Sequence, residues 1–199
     1  MNKNRRGTLI IVSGPAGVGK GTVVAEAVKK SKGGIYLSIS ATTRKPREID
    51  AEGVTYFFKT KEEFEKMIEN GMLLEYACYV GNYYGTPKKP VTDALESGRD
   101  VILEIEVQGA LKVKENFPEA VLAFIVPPDL AELEARLRGR GTETEEQIAL
   151  RLERAKAEFE KIDSYDYVIE NNTVADAADD LISILRAERL KRARYEKCF

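Results

Sequence analysis

The sequence contains no histidine, and only two of its 199 residues are cysteine. Without histidine, the chain cannot form Ser-His or Cys-His nucleophile pairs or His-ligated zinc sites. Cys78 and Cys198 form no CxxC pair, which predicts two incidental thiols in a reducing compartment. Any catalysis must therefore depend on Lys, Arg, Asp, Glu, Ser, Thr or Tyr, or on a bound ion.

Long apolar runs are also missing. None approaches the roughly 20 residues needed to cross a bilayer, and the N-terminal stretch Leu9–Val12 is too short for a secretion signal. Lys and Arg together number 31 and Asp and Glu 33, for a net charge of −2. A globally basic nucleic-acid-binding protein is therefore not expected. We expect a cytoplasmic protein that binds neither membranes nor nucleic acids.

Short apolar segments alternate with helical patterns along most of the chain. The hydrophobic fraction of 43% and charged fraction of 32% are typical of one compact soluble domain. Continuous apolar runs predict strands buried on both faces at Leu9–Val12, Ile35–Leu37, Val101–Ile105, Val121–Val126 and Tyr167–Ile169. Helices are predicted over Thr22–Lys30, Val107–Lys114, Asp129–Arg138, Thr144–Ile162 and Val174–Arg194. The alternation predicts a doubly wound α/β fold with a parallel sheet.

Residues from about 40 to 98 interrupt this alternation. This segment contains a Gly/Pro-rich loop, strand-like pieces at Tyr56–Phe58 and Leu73–Tyr79, and a predicted helix over Lys61–Asn70. We interpret it as an inserted lobe that carries specificity. A second irregular piece, Gly139-Arg140-Gly141-Thr142, lies between two predicted helices and is a candidate hinge.

The segment after the first predicted strand has the G-x4-G-K pattern of a phosphate-binding loop. Glycines let backbone N–H groups turn toward phosphate oxygens, the helix N-terminus adds positive charge, and Lys20 can reach the β- and γ-phosphates. Gly21 follows Lys20 where a Ser or Thr is usual, so a metal ion would be held mainly by nucleotide oxygens and water, with a carboxylate nearby. The loop residues are Gly14, Pro15, Ala16, Gly17, Val18, Gly19, Lys20, Gly21 and Thr22.

Hydroxyl and arginine side chains follow the second predicted strand. Arg44 and Arg47 can each offer a bidentate fork to an anion such as a phosphate. A solvated basic turn is the alternative from composition alone, but the phosphate loop favours a second anion site. Asn82–Thr86 is interpreted as a second binding turn, with a surface tyrosine corner as the alternative.

Taken together, these segments resemble the guanylate kinase family. The phosphate loop, SISATTRKPR at 38–47, GNYYGT at 81–86, LEIE at 103–106 with Gln108-Gly109, and RGRGTETEE at 138–146 occur in the family's order. The resemblance covers about residues 8–185 and implies a three-layer P-loop kinase fold. It further implies transfer of the γ-phosphoryl group of ATP to GMP and dGMP, with Mg²⁺.

The resemblance also implies a domain layout and a set of site residues. A single domain over 7–186 would comprise a core (1–37 and 99–199), a GMP-binding lobe (38–98) and a lid at about 139–150. The residues implied to hold the GMP phosphate are Ser40, Arg44, Arg47, Tyr56 and Tyr84. Those implied to read guanine are Glu75, Thr86 and Glu106. Those implied to assist transfer, beside Lys20 and Arg44, are Arg136, Arg140 and Arg151. Glu104 would lie near the metal and Asn171 near adenine.

The sequence departs from the family pattern at two places. Ile49 and Asp50 stand where Gly and Glu are usual, and Glu106 stands where Asp is commoner. Neither departure removes a charge that phosphoryl transfer needs. For Arg136 and Arg151, pairing with neighbours on the helix surface is a purely structural alternative.

Two further functions remain open at this level. A guanylate-kinase-like interaction module without catalysis would be expected to lack an intact phosphate loop, whereas this loop is complete. A kinase of the same fold acting on another phosphorylated acceptor is disfavoured by Glu75 and Glu106, whose carboxylates can accept the donors of guanine. The sequence does not predict the oligomeric state.

Overall fold

The computed structural model describes residues 6–79, 81–139, 141 and 144–194. The strands are β1 (Leu9–Ser13), β2 (Ile35–Leu37), β3 (Ala41–Thr42), β4 (Phe57–Phe58), β5 (Leu73–Tyr79), β6 (Asn82–Pro87), β7 (Asp100–Glu104), β8 (Val121–Val126) and β9 (Tyr167–Glu170). The helices are α1 (Lys20–Lys30), α2 (Lys61–Glu69), α3 (Lys88–Glu96), α4 (Val107–Asn116), α5 (Leu130–Arg138), α6 (Glu145–Phe159) and α7 (Val174–Arg189).

A parallel sheet in the order β2-β7-β1-β8-β9 forms the core. Every residue of β1 is buried, and successive side chains point to opposite faces of a strand. Ile10 and Val12 pack in a cluster with residues of α1 and α7. Leu9 and Ile11 pack in a second cluster with residues of α3 and α4. These two layers of helices around one sheet confirm the predicted three-layer α/β fold.

All five strands of the core sheet run in one direction, so their carboxyl ends lie along one edge. In α/β folds this edge is where ligands bind. Val12 of β1 is in register with Glu104 of β7, which places the phosphate loop beside that carboxylate.

The smaller sheet, in the order β4-β3-β6-β5, lies within the predicted inserted lobe. The interpretation of Asn82–Thr86 as a turn was wrong: these residues belong to β6, which pairs with β5 in an antiparallel hairpin. Tyr83 stacks on Phe64 at 5.3 Å between ring centroids, and Gly85 and Thr86 are buried. Burial in the lobe therefore outweighs the local turn signal of Asn and Gly.

Helix α3 was not predicted from the sequence. Its first turn contains Pro90, which is tolerated there because the first N–H groups of a helix have no partner within it. Val91 and Leu95 pack in the core cluster around Leu9 and Val101. The last helix of the 38–98 segment therefore packs against the core sheet.

The predicted helix boundaries differ from the structure mainly at the ends. Helix α1 begins at Lys20, two residues before the predicted start, because the phosphate loop winds directly into it. Helix α6 has a complete capping box formed by Thr144 and Gln147, and it ends at Phe159 before a 3-10 turn at Ile162–Ser164. Helix α7 ends at Arg189. None of the helices in the described residues combines the length and apolarity that a bilayer crossing requires.

Candidate active site

The phosphate loop depends on glycine at two close approaches. A Cβ at Gly14, whose φ is 143°, would lie 2.3 Å from the carbonyl oxygen of Ile125. At Gly19, with a φ of 92°, it would lie 2.6 Å from Nδ2 of Asn171. Lys20 Nζ donates to the carbonyl oxygens of Gly14, at 2.5 Å, and Pro15, at 3.1 Å. The lysine ammonium therefore lies over the loop that would surround the phosphates.

A cleft of about 390 Å³ joins the phosphate loop to the inserted lobe. Residues of the cleft that the sequence predicted are Lys20, Ser40, Tyr56, Glu75, Tyr84, Glu104 and Glu106. Lining residues to which the sequence had assigned no role are Ala77, Tyr79, Gly85, Ile105, Gln108 and Gly109. The alternation of β5 could have identified Ala77 and Tyr79, since residues 75, 77 and 79 share one face of a strand.

One end of the cleft contains the buried carboxylate of Glu75, which is 8% exposed. Its Oε1 accepts a hydrogen bond of 2.7 Å from the hydroxyl of Thr86, which is fully buried. Burial raises the pKa of Glu75, while the Thr86 hydrogen bond and the charge of Lys112 oppose this shift. A hydroxyl has a single proton to donate. In this structure the Thr86 hydroxyl donates that proton to Glu75, so it orients the carboxylate and is not free to donate to a bound ligand.

The loop after β3 holds Arg44 beneath aromatic rings. The Arg44 guanidinium lies 5.3 Å from the ring centroid of Tyr56 and 5.9 Å from that of Phe58. Its Nη2 contacts Asp50 Oδ2 at 2.9 Å, and the same oxygen accepts the backbone N–H of Arg47 at 2.7 Å. The Arg47 hydrogen bond, followed by Arg44, holds the pKa of Asp50 below its usual value. Asp50 therefore ties the two phosphate-binding candidates into one loop.

The remaining residues of this loop explain why it tolerates the loss of glycine. Ile49 is 86% exposed, and its backbone φ is not in the left-handed region. The loop therefore needs no glycine here.

Tyr84 completes the aromatic wall beside Arg44, packing edge-on against Tyr56 with 6.0 Å between the ring centroids. The Arg47 side chain, in contrast, is exposed.

Glu104 lies between the two sides of the cleft. Solvent reaches its side chain, but the cleft walls remove part of its hydration and raise the pKa of its carboxyl, and Lys20 opposes that shift. A Cβ at Gly21 would lie 3.5 Å from Glu104 Oε1, an ordinary van der Waals contact, so the position after Lys20 lies directly beside this carboxylate. Within the described residues, no three or more His, Cys, Asp or Glu side chains are grouped so that they could hold a metal ion. One carboxylate beside a phosphate loop fits Mg²⁺, which keeps several water and phosphate ligands.

Arg136 joins the phosphate loop to the segment after β9. It pairs with Glu132 at 2.8 Å, as the structural alternative predicted, but it also donates to the carbonyl oxygens of Val18, at 3.3 Å, and Asn171, at 3.0 Å. Asn171 is buried, and its Nδ2 donates to Val18 at 2.7 Å. Arg136 and Asn171 therefore support the loop from behind.

Helix α6 approaches the cleft with the predicted Arg151 and with two residues that the sequence did not indicate, Arg154 and Glu158. Arg151 is half-buried on this helix, and Arg154 Nη1 contacts Tyr79 Oη at 3.3 Å, linking α6 to β5. Burial raises the pKa of Glu158, with Lys20 opposing and Glu106 reinforcing the shift. The spacing of 151, 154 and 158 on one helix face was the available signal. Arg140 lies outside the described residues.

Comparisons with known proteins agree with this geometry. The family model for guanylate kinase matches residues 6–188. A guanylate kinase from Halalkalibacterium halodurans is 56% identical over 192 residues, which cover 96% of this chain and 94% of that protein. The guanylate kinase of Bacillus subtilis is 54% identical over 95% of this chain and 93% of its own length. The crystal structure of a guanylate kinase from Anaplasma phagocytophilum matches with a TM-score of 0.77 and 34% identity over 96% of this chain and 90% of that one. This chain belongs to the guanylate kinase family.

Proposed function

We propose that the chain transfers the γ-phosphoryl group of ATP to GMP, giving ADP and GDP, as an enzyme of purine nucleotide metabolism. The observation that carries this proposal is the shared cleft, which is lined both by Lys20 of the phosphate loop and by the acidic residues Glu75 and Glu106. A phosphate donor and a purine acceptor bound in this cleft would meet near Glu104. We extend the proposal to dGMP as a second acceptor and to the cytoplasm as the site of action.

Phosphoryl transfer depends on positioning and charge neutralisation more than on covalent chemistry. The attacking oxygen of the GMP phosphate is already ionised at neutral pH, so the reaction needs no general base, and the absence of histidine is no obstacle. Lys20 lies over the loop carbonyls and would turn to the β- and γ-phosphates of ATP. Glu104 would hold Mg²⁺ together with nucleotide oxygens and water, and the ion would supply neutralisation of charge on those phosphates.

The acceptor phosphate would bind in the loop after β3. Arg44 and Arg47 shield its charge from ATP, and Ser40, Tyr56 and Tyr84 add hydroxyl donors. Arg44 is already oriented by Asp50 and by the Tyr56 ring, which lowers the ordering cost of binding.

The guanine base would be selected by Glu75 and Glu106. Ionised carboxylates only accept hydrogen bonds, so they satisfy the N1–H and 2-amino donors of guanine, whereas N1 of adenine would face a lone pair. A site that leaves buried polar groups unpaired rejects the wrong base strongly. Thr86 contributes by holding Glu75. While that bond persists, the Thr86 hydroxyl oxygen can accept a hydrogen bond from the base, but the hydroxyl cannot donate one to it.

The remaining arginines would act in the closed state. Arg136, Arg140 and Arg151 would accelerate the reaction most if they reach the transferring group only when the lid closes, because only differential stabilisation of the transition state speeds chemistry. Asn171 would lie near adenine, behind the phosphate loop that it supports. The inactive interaction module receives no support, because the loop is complete and the matched relatives are named guanylate kinases.

A coupled assay of ADP release, with ATP and Mg²⁺ against a panel of GMP, dGMP, IMP, AMP, UMP and CMP, tests the proposal. GMP should be the best acceptor, and IMP should be poor because it lacks the 2-amino donor. Equal or better turnover of AMP, UMP or CMP would overturn the assignment.

A further inference from the structure

Gly109, in the first turn of α4, lies against the carboxylate of Glu75. A Cβ at this position would approach Glu75 Oε2 at 3.1 Å and Glu75 Cδ at 3.5 Å. A distance of 3.1 Å is shorter than nine in ten of the distances that Cβ atoms in proteins keep from neighbouring atoms. A side chain at residue 109 would therefore displace the carboxylate by a few tenths of an ångström.

The helix itself gives no reason for glycine at this position. Gly109 lies within α4 with ordinary helical backbone, which alanine adopts more readily than glycine does. Both Gly109 and Glu75 line the cleft. The missing side chain is therefore explained by the space that the Glu75 carboxylate occupies.

The other side of the carboxylate is also restrained. Thr86 holds Oε1 with a buried hydrogen bond of 2.7 Å, and Ile105 Cδ1 lies 3.4 Å from the Cβ position of residue 109. Glu75 thus lies between Thr86 on β6 and the bare backbone of α4. A push from α4 would therefore disturb the geometry of its bond to Thr86.

We propose that Gly109 determines base specificity by setting the position of the Glu75 carboxylate, acting as a positioning residue that does not itself touch GMP. The inference rests on the proposed function, in which Glu75 reads guanine. Because hydrogen-bond recognition is sensitive to small displacements, the absence of a side chain at residue 109 favours guanine over bases without an N1–H donor.

The test compares G109A, E75Q and the double variant G109A/E75Q with the wild type. A matched control is G34A, in which a Cβ would also make a tight contact, 3.3 Å from the carbonyl of Ser31. Gly34 precedes β2 at the end of the core sheet opposite to the cleft. The measurements are kcat and KM for GMP, IMP and AMP, KM for ATP, calorimetric affinity for GMP alone, and a melting curve.

We expect G109A to lower kcat/KM for GMP roughly tenfold, mainly through KM. It should weaken GMP binding in calorimetry and leave KM for ATP and the AMP rate unchanged. The melting temperature should not fall by more than that of G34A. Because Gly109 acts through Glu75, adding G109A to E75Q should change kcat/KM by less than about twofold.

Several results would overturn the inference. If E75Q lowers GMP selectivity but G109A does not, Glu75 reads guanine without help from Gly109, and only the inference fails. Additive effects in the double variant, or a lower melting temperature with equal losses for GMP and ATP, would assign Gly109 a structural role. If E75Q leaves the GMP/AMP ratio unchanged, the role of Glu75 in the proposed function fails as well.

Discussion

Replacing Thr86 with valine removes the buried hydroxyl that bonds Glu75 in the cleft. Thr86 is fully buried, and its hydroxyl donates its single proton to Glu75 Oε1 at 2.7 Å. A hydrogen bond to a charged group is worth about 1.5–3 kcal/mol, and one to a neutral group about 0.5–1.5 kcal/mol. In a chain of this size, each kcal/mol shifts the melting temperature by about 2–4 °C. T86V should therefore melt roughly 3–12 °C lower than the wild type at neutral pH.

The loss should depend on pH in a direction that the structure specifies. Burial raises the folded-state pKa of Glu75 above its unfolded value. Stability from the protonated form is therefore full below the unfolded pKa and is lost as pH rises through the folded pKa. The Thr86 bond favours the ionised form, so removing it raises the pKa of Glu75 further. T86V should consequently lose more stability near neutral pH than near pH 4.

The assay combines unfolding curves at the two pH values with the pH dependence of kcat/KM for GMP. If ionised Glu75 binds guanine, the acidic limb of that profile should move to higher pH in T86V. T86S keeps the hydroxyl and loses only a buried methyl group, so its loss of stability should be equal at both pH values and its acidic limb should match that of the wild type. Equal destabilisation of T86V at both pH values, or an unmoved acidic limb, would refute the coupling between Thr86 and Glu75.

Two further predictions concern the donor and acceptor sides. Lys20→Met should lower kcat by at least roughly 100-fold, while the calorimetric affinity for GMP stays nearly unchanged. The reason is that Lys20 lies over the phosphate loop, whereas Arg44 and Arg47 lie on another loop. Lys29→Met, at an exposed position, is the control. A Lys20 variant that lost GMP affinity and kept its kcat would show that the two sites are reversed. Asp50→Ala should raise KM for GMP and leave KM for ATP unchanged, because Asp50 holds both Arg44 and the Arg47 backbone, with exposed Glu48→Ala as the control. A lower KM for GMP would instead mean that Asp50 competes with the substrate phosphate for Arg44.

Much of the core architecture could be predicted from local sequence patterns. Strands β2 and β8 begin and end where their apolar runs do, because continuous burial on both faces of a parallel sheet leaves a continuous apolar signature. The phosphate loop could also be predicted from the sequence, since its glycines and Lys20 lie within one short segment between a strand and a helix. The sequence alone therefore determined the fold class and the position of the phosphate loop.

The side of the cleft formed by the inserted lobe could be predicted only in part. The resemblance implied that Glu75, Thr86 and Glu106 read guanine, but it did not indicate that the Thr86 hydroxyl donates its proton to Glu75. Strand β6 was misread as a turn because Asn82 and Gly85 carry turn signals, while the stacking of Tyr83 on Phe64 joins residues that are distant in sequence.

The tertiary structure alone decided how Glu75 is held. Thr86 reaches it from β6, Gly109 leaves room for it on α4, and Lys112 adds charge from the same helix. Likewise, the contact of Arg154 with Tyr79 joins α6 to β5 across 75 positions of sequence. Local periodicity reports which face of an element is buried, but it carries no information about which distant side chain meets that face. That pairing follows only when the elements pack and the buried polar groups must find partners.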